Sequence, residues 1–200
     1  MNLLLFPEEN PLALTKYEPN FLSKEENRYF FQLFRQTVSW QRPTLIIHGR
    51  RILQPRLSAW YGDKGSDYVY SGVKHEVLPW TKELWQLKTK VEEYTGFGFN
   101  SVLLNYYRDG NDAVSWHADD ETNLHPLIAS LSLGEGRYFY VKPKLTDKQG
   151  KRQSYKFWLE GGSLLVMLPG FQERYLHAVL RMKNYPYGRI NLTFRKVVNQ

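Results

Sequence analysis

Residues 127–142 read LIASLSLGEGRYFYVK. A run of apolar and small side chains from Leu127 to Leu133 meets the turn Gly134-Glu135-Gly136, and an aromatic-rich stretch with a period of two follows from Arg137 to Lys142. Alternate side chains of a strand point to opposite faces, and glycine takes up the backbone angles of a tight turn at no steric cost, so this stretch describes two strands joined by a turn. The signature recurs on both sides in SVLLNYY (101–107), AVSWHAD (113–119), YKFWLE (155–160), SLLVML (163–168), RYLHAVL (174–180) and RINLTFR (189–195). Further turns lie at Asp147–Gly150, Gly161-Gly162 and Pro169-Gly170. Eight short strands at this spacing predict a sandwich or barrel from residue 100 onward.

The N-terminal half reads differently. Pro7, Pro11 and Pro19 break residues 1–22 into an irregular arm. Ser23-Lys24-Glu25-Glu26 has the form of a capping box and predicts a helix to about Val38. Its buried stripe is Phe30, Phe31, Leu33, Phe34 and Val38, and its wet side is Glu25, Arg28, Arg35 and Gln36. Leu84, Leu87, Val91 and Tyr94 recur at helical spacing and predict a second helix from Thr81 to Thr95, closed by Gly96. The expected fold is α+β, mainly β, in a single domain, with the helices in residues 1–99 and the strands in residues 100–200.

Composition narrows the function. The chain of 200 residues has no cysteine, which removes disulfide scaffolds, thiolate-bound zinc, iron–sulfur clusters and thiol catalysis, so any metal must sit on His, Asp or Glu. No apolar run approaches the roughly 18 residues of a membrane span, and the start MNLLLF lacks a basic lead and runs into Pro7-Glu8-Glu9. A soluble, unexported monomer in the cytoplasm, or the nucleus of a eukaryote, is expected, without a membrane partner. The formal charge of +7 and the 16% aromatic content fit a polyanionic partner, since basic groups displace counterions from phosphates and rings stack on bases. Ordinary solubility charge accounts for the same numbers. Residues 142–156 hold six basic residues against Asp147 alone, which reads either as a solvated hairpin or as an edge contacting phosphates.

His117 and Asp119 lie two apart at a strand end, so they share a face and can grip one ion. That ion needs a third ligand. His177, in an apolar strand, alone reads as a core histidine, but in this company it is a candidate ligand. In RINLTFR, Ile190, Leu192 and Phe194 take one face, and Arg189, Asn191, Thr193 and Arg195 take the other. Two guanidiniums on one inward face call for anions. Asn105 and Tyr107 also share a face, just before the turn at Arg108-Asp109-Gly110, and offer an amide and a phenol to a bound acid.

The order of these parts resembles the AlkB-like branch of the iron(II)/2-oxoglutarate dioxygenases. The resemblance rests on N-x-Y-x-D-G (105–110), H-x-D-D-E (117–121), S-x-S-L-G (130–134), His177 and R-x-N-x-T-x-R (189–195). Upstream, Pro55-Arg56, Tyr61-Gly62-Asp63 and Tyr68-Val69-Tyr70-Ser71-Gly72 look like that family's nucleotide-recognition lid, so the likeness covers about Ile47 to Lys196. It implies a double-stranded β-helix (jelly-roll) core with N-terminal helices and a lid, and the cofactors Fe(II), 2-oxoglutarate and dioxygen. His117, Asp119 and His177 would be the metal ligands. Arg189 would pair with the distal carboxylate of 2-oxoglutarate, and Asn105, Tyr107, Asn191, Thr193 and Arg195 would hold its other oxygens.

The implied activity is oxidative demethylation of N-alkylated bases such as 1-methyladenine and 3-methylcytosine in DNA or RNA, with the methyl group leaving as formaldehyde. Those bases are cationic, so Tyr68, Tyr70 and Ser71 would offer a stacking wall while Asp120 and Glu121 face the edge of the base. Arg56, with Arg50 and Arg51, would contact phosphates. His48 stands before Gly49, where duplex-active members carry an apolar aromatic wedge. Histidine fills less space, which keeps single-stranded substrates open. The chain also departs from the family at Tyr175 (tryptophan) and Leu180 (proline), and Arg137 reads as structural. Two alternatives are the same chemistry on a modified tRNA base or a protein side chain, and a non-catalytic nucleic-acid-binding module. The complete triad with both arginines argues against the latter.

Overall fold

The computed structural model describes residues 10–47, 50–66, 68–70, 73–75, 77–146, 150 and 152–198. A short 3-10 turn over Pro11–Leu14 leads into β1 (Thr15–Glu18) and then α1 (Lys24–Thr37). The capping box is made as the sequence predicts: the Glu26 amide donates to Ser23 Oγ at 3.1 Å and the Ser23 amide to Glu26 Oε2 at 2.9 Å. β2 (Thr44–Ile47) pairs with β3 (Arg50–Leu53), β4 (Leu57–Gly62) follows, and β5 (Tyr68–Tyr70) pairs with β6 (Val73–His75). α2 (Lys82–Thr95) is capped by Thr81 and ends at Gly96, whose φ of +67° is a left-handed conformation that side chains disfavour.

The eight strands expected after residue 100 are all present, as β7 (Ser101–Tyr107), β8 (Val114–His117), β9 (Ile128–Gly134), β10 (Arg137–Pro143), β11 (Tyr155–Leu159), β12 (Leu164–Met167), β13 (Tyr175–Val179) and β14 (Arg189–Arg195). A one-turn helix, α3 (Phe171–Arg174), sits between β12 and β13. The strands form two antiparallel sheets: a major one in the order β1-β12-β9-β14-β7-β4, and a minor one in the order β11-β10-β13-β8. Both edges of the major sheet come from the N-terminal half. Part of the arm expected to be irregular is therefore strand, held by pairing of Thr15–Glu18 with Leu164–Met167.

The major sheet is buried on both faces. Ile190, Leu192 and Phe194 of β14, with Leu104 of β7 and Leu131 and Leu133 of β9, lie under Phe30 and Phe34 of α1 and Leu84, Leu87 and Val91 of α2. Phe31 and Leu33 are only partly buried, and Tyr94 is 44% exposed with its ring edge-on to Phe21. The opposite face looks into the gap between the sheets, where Tyr107, Ile128, Phe139, Val141, Met167 and Phe171 form a second cluster. The polar face of β14 opens into this gap, and that placement builds the site. Among the described residues no helix is long and apolar enough to cross a membrane.

Candidate active site

Antiparallel pairing of β13 with β8 sets His177 directly opposite His117, so side chains sixty positions apart meet by register. Their rings are 4.2 Å apart between centroids. Asp119 completes the group: its Oδ1 lies 3.8 Å from His117 Nε2 and its Oδ2 lies 3.9 Å from His177 Nε2. All three ligand atoms lie within 4.8 Å of one another. His117 Nδ1 is 2.8 Å from the carbonyl of Ser115, which as acceptor fixes the tautomer and leaves Nε2 free to bind. The arrangement gathers the three residues that the sequence puts forward as ligands.

The electrostatics suit a divalent cation. Burial pushes the His177 imidazole down to about 3 and lowers that of His117 as well, so both are neutral with a lone pair available at neutral pH. Burial works to raise the Asp119 carboxyl, but Arg195 and the two imidazoles outweigh it and hold it at about 2. Arg195 Nη2 stands 2.7 Å from Asp119 Oδ1. Two imidazoles and one carboxylate, with no thiolate in the chain, are the donor set of a facial iron site with open positions rather than of a closed zinc knot.

A buried cation stands in the same cleft. Arg189 is 1% exposed, and its Nη2 donates to Ser132 Oγ at 2.9 Å. Its Nε and Nη1 have no hydrogen-bond partner among the described residues, and burial pushes the guanidinium down to about 10. A dry guanidinium with two idle donors fits a carboxylate in bidentate geometry. Tyr107 lies beneath it, with the guanidinium carbon 5.6 Å from the ring centre. Asn191 Nδ2 donates to Ser130 Oγ at 2.8 Å, and Thr193 Oγ1 donates to Asn191 Oδ1 at 3.1 Å. The donor set thus suits both an iron ion and an anionic co-substrate beside it. The cleft is lined by the three candidate ligands and by Asn105, Tyr107, Arg189, Asn191, Thr193 and Arg195.

Other candidates fall elsewhere. Arg56, expected among phosphate contacts at the lid, is 4% exposed and lines this cleft, where its Nε donates to Asn105 Oδ1 at 2.7 Å. The cause is the pairing of β4 with β7, which sets Ser58 against Asn105 and draws the preceding turn inward. Asp120, expected to face the substrate, has a side chain 54% exposed with an ion pair to Lys144 Nζ at 2.6 Å, and neither it nor the half-buried Glu121 lines the cleft. Tyr68 and Tyr70 lie on β5. His48 and Ser71 lie outside the described residues.

Sequence reasoning missed Gln172 altogether. It is 3% exposed in α3, and its Oε1 accepts from the Asp119 amide at 3.0 Å, which fixes the backbone that carries the carboxylate. Arg137 is structural, as expected: it is 1% exposed and donates to the carbonyls of Asp109, Asp112 and Leu180.

Comparison with known proteins agrees with this geometry. The sequence profile of the 2OG-Fe(II) oxygenase superfamily matches residues 15–195. Alpha-ketoglutarate-dependent dioxygenase alkB homolog 3 of Rattus norvegicus is 39% identical over 186 residues, covering 90% of this chain and 62% of the relative. The Homo sapiens protein of that name is 38% identical and covered to 64%, so the chain spans a little under two thirds of the length of these relatives. DNA oxidative demethylase ALKBH2 of Mus musculus is 40% identical over 185 residues, covering 88% of this chain and 77% of that protein. Among solved structures, OsALKBH1 superposes with a TM-score of 0.60 at 18% identity, over 92% of this chain and 98% of the other, and so shares its fold.

Proposed function

Because this chain belongs to the 2OG-Fe(II) oxygenase superfamily, we propose that it is an Fe(II)- and 2-oxoglutarate-dependent dioxygenase that removes N-linked methyl groups from bases in DNA or RNA. The observation that carries the reading is Arg189, a buried guanidinium with two idle N–H groups in the cleft that also holds the His117, Asp119 and His177 group. A structural role alone leaves that charge uncompensated, whereas a dicarboxylate co-substrate satisfies it. The relatives named for dioxygenase and DNA demethylase activity, and the net positive charge of the chain, support a nucleic-acid substrate.

In this reading His117, Asp119 and His177 would hold the iron, in a cleft that would also take 2-oxoglutarate and dioxygen. Bound there, iron would supply the redox chemistry that couples consumption of dioxygen and 2-oxoglutarate to loss of the methyl group as formaldehyde. The chain's own task is positioning. Arg189 and Ser132 grip the distal carboxylate of the co-substrate. Arg195 keeps Asp119 ionised and aimed, and Arg56, by donating to Asn105 Oδ1, leaves the Asn105 Nδ2 group for the remaining oxygens, while Asn191 is held in place by Ser130, Leu131 and Thr193. Burial of Asp119 and His177 limits the access of water to the group. The base is held by Tyr68, Tyr70, Ser71 and His48 at the lid.

The test is incubation with Fe(II), ascorbate and 2-oxoglutarate, with oligonucleotides carrying 1-methyladenine or 3-methylcytosine, single-stranded and duplex, and assay of succinate and formaldehyde. Oligonucleotide-dependent formaldehyde is expected, lost by more than about 1,000-fold in Asp119→Ala. Succinate without such formaldehyde points to another substrate, such as a modified tRNA base or a protein side chain. No succinate under any condition refutes the dioxygenase reading.

A further inference from the structure

The outer face of the minor sheet carries a pattern that the catalytic cleft does not use. In β10, alternation turns Phe139 and Val141 toward the core and Tyr138, Tyr140 and Lys142 outward. Register sets Tyr138 opposite Trp158 of β11, and Tyr140 opposite Lys156 on one side and Ala178 of β13 on the other. Trp116 of β8 precedes the inward His117, so it too faces out. Ala178 is small and fully covered, which lets the rings of Tyr140 and Trp116 meet across β13 with centroids 6.5 Å apart.

From Tyr140 the row continues through Tyr138 at 6.2 Å, Trp158 at 4.9 Å, Tyr185 at 6.4 Å and Tyr187 at 5.2 Å, each measured from the ring before it. Tyr187 is 54% exposed, and the other five rings are half-buried. Cross-strand packing alone explains a row of rings. It does not explain the cations. Lys142 Nζ lies 4.1 Å above the Trp116 ring and Lys156 Nζ 4.9 Å above Tyr138, and neither forms an ion pair among the described residues. Beyond Tyr187 the row opens into a groove that is also lined by the exposed side chains of Lys24, Arg28 and Arg35 of α1. A partner for this surface must offer flat apolar faces and negative charge in regular alternation, which a single strand of nucleic acid does with a base and a phosphate in every unit.

We propose that the outer face of the minor sheet, from Trp116 to Tyr187 and on into the groove beside Arg28 and Arg35, binds single-stranded nucleic acid, stacking bases on its rings and phosphates on its cations. The proposal rests on nucleic acid being the substrate, and gives the strand flanking the target nucleotide a path on the far side of the sheet from the catalytic group.

The experiment uses the whole protein and fluorescent unmethylated thymidine oligonucleotides of about 5 and about 25 nucleotides, read by anisotropy at low and moderate salt. The parent is expected to bind the longer strand at least tenfold more tightly. Trp158→Ala and Lys142→Glu/Lys156→Glu are expected to remove most of that length-dependent gain, and the charge variant to flatten the salt dependence. Should Trp158→Ala fold poorly, Tyr187→Ala at the exposed end serves in its place. A length-dependent gain kept within twofold in all variants, with unchanged melting temperatures, overturns the proposal. Formaldehyde release by the parent from a methylated trinucleotide reports separately on the catalytic reading, so failure of the surface and failure of the substrate assignment give different patterns.

Discussion

Replacing Arg189 by methionine separates a binding role from a structural one, because the two roles predict opposite signs for the stability of the ligand-free protein. Burial brings this guanidinium from its ordinary 12.5 to about 10, which corresponds to about 3 kcal/mol of penalty for keeping the charge in place. Against this stands the hydrogen bond to Ser132 Oγ, worth about 1 kcal/mol net. Methionine fills much of the same volume with no charge, so Arg189→Met should stabilise the protein without ligand by about 1–2 kcal/mol, or roughly 2–8 °C in melting temperature for a chain of this size. Affinity for 2-oxoglutarate moves the other way. Removing one partner of a buried, bidentate charge pair costs about 2–5 kcal/mol, a loss of roughly 30-fold to several thousand-fold. Thermal melts with and without 2-oxoglutarate, with Mn(II) as a redox-silent ion, read both effects at once, since the ligand-induced shift collapses as the affinity falls. A lower melting temperature without ligand, combined with 2-oxoglutarate affinity within twofold of the parent, refutes the reasoning and makes Arg189 part of the scaffold.

Gln172→Met removes the acceptor of the Asp119 amide and should weaken Mn(II) binding about tenfold while leaving the far-ultraviolet circular dichroism unchanged, because support of a ligand from outside the coordination sphere is typically worth that much. The pH dependence of stability follows from His177: its folded value of about 3 lies below the unfolded value of about 6.5, so on acidification the unfolded chain takes up a proton that the folded one refuses. Stability of the metal-free protein is therefore full above pH 6.5 and is lost as the pH falls below it, by about 1.4 kcal/mol from this residue at pH 5.5. Urea midpoints at pH 7.5 and 5.5 check this, and His177→Phe should show a smaller loss than the parent. Gly161→Ala would set a methyl group 1.8 Å from the Gly134 carbonyl oxygen, a backbone atom that cannot step aside, and should cost more than about 3 kcal/mol in denaturant melts.

Those parts of the molecule that were legible in advance are the ones whose signal is periodic. Alternation in RINLTFR gives both faces of β14, and the capping box gives the first residue of α1. What escaped depends on partners distant in sequence. TKYE at residues 15–18 has no pattern of its own and becomes a strand because β12 offers an edge to pair with. Gln172 sits on one turn of helix, too short to show a face, and matters only because the chain brings it beneath Asp119. Arg56 looks like a loop arginine until β4 is laid against β7.

Asp120 is the instructive case, because the rule that placed its neighbour also places it. Alternation along an extended chain puts His117 and Asp119 on one face. The same argument carried one residue further turns Asp120 away from that face. Its side chain is 54% exposed and held by Lys144, whereas that of Asp119 is 3% exposed. A carboxylate on that outward face reaches a cationic base only if the base approaches from outside the cleft. Charge alone thus says little about which acid meets the substrate, and parity along the strand says more. If Asp120 does face the base, Asp120→Asn should impair turnover of methylated oligonucleotide and leave 2-oxoglutarate affinity intact. If its work is to hold Lys144, then Lys144→Met should reproduce the effect of Asp120→Asn, with no further loss in the double variant.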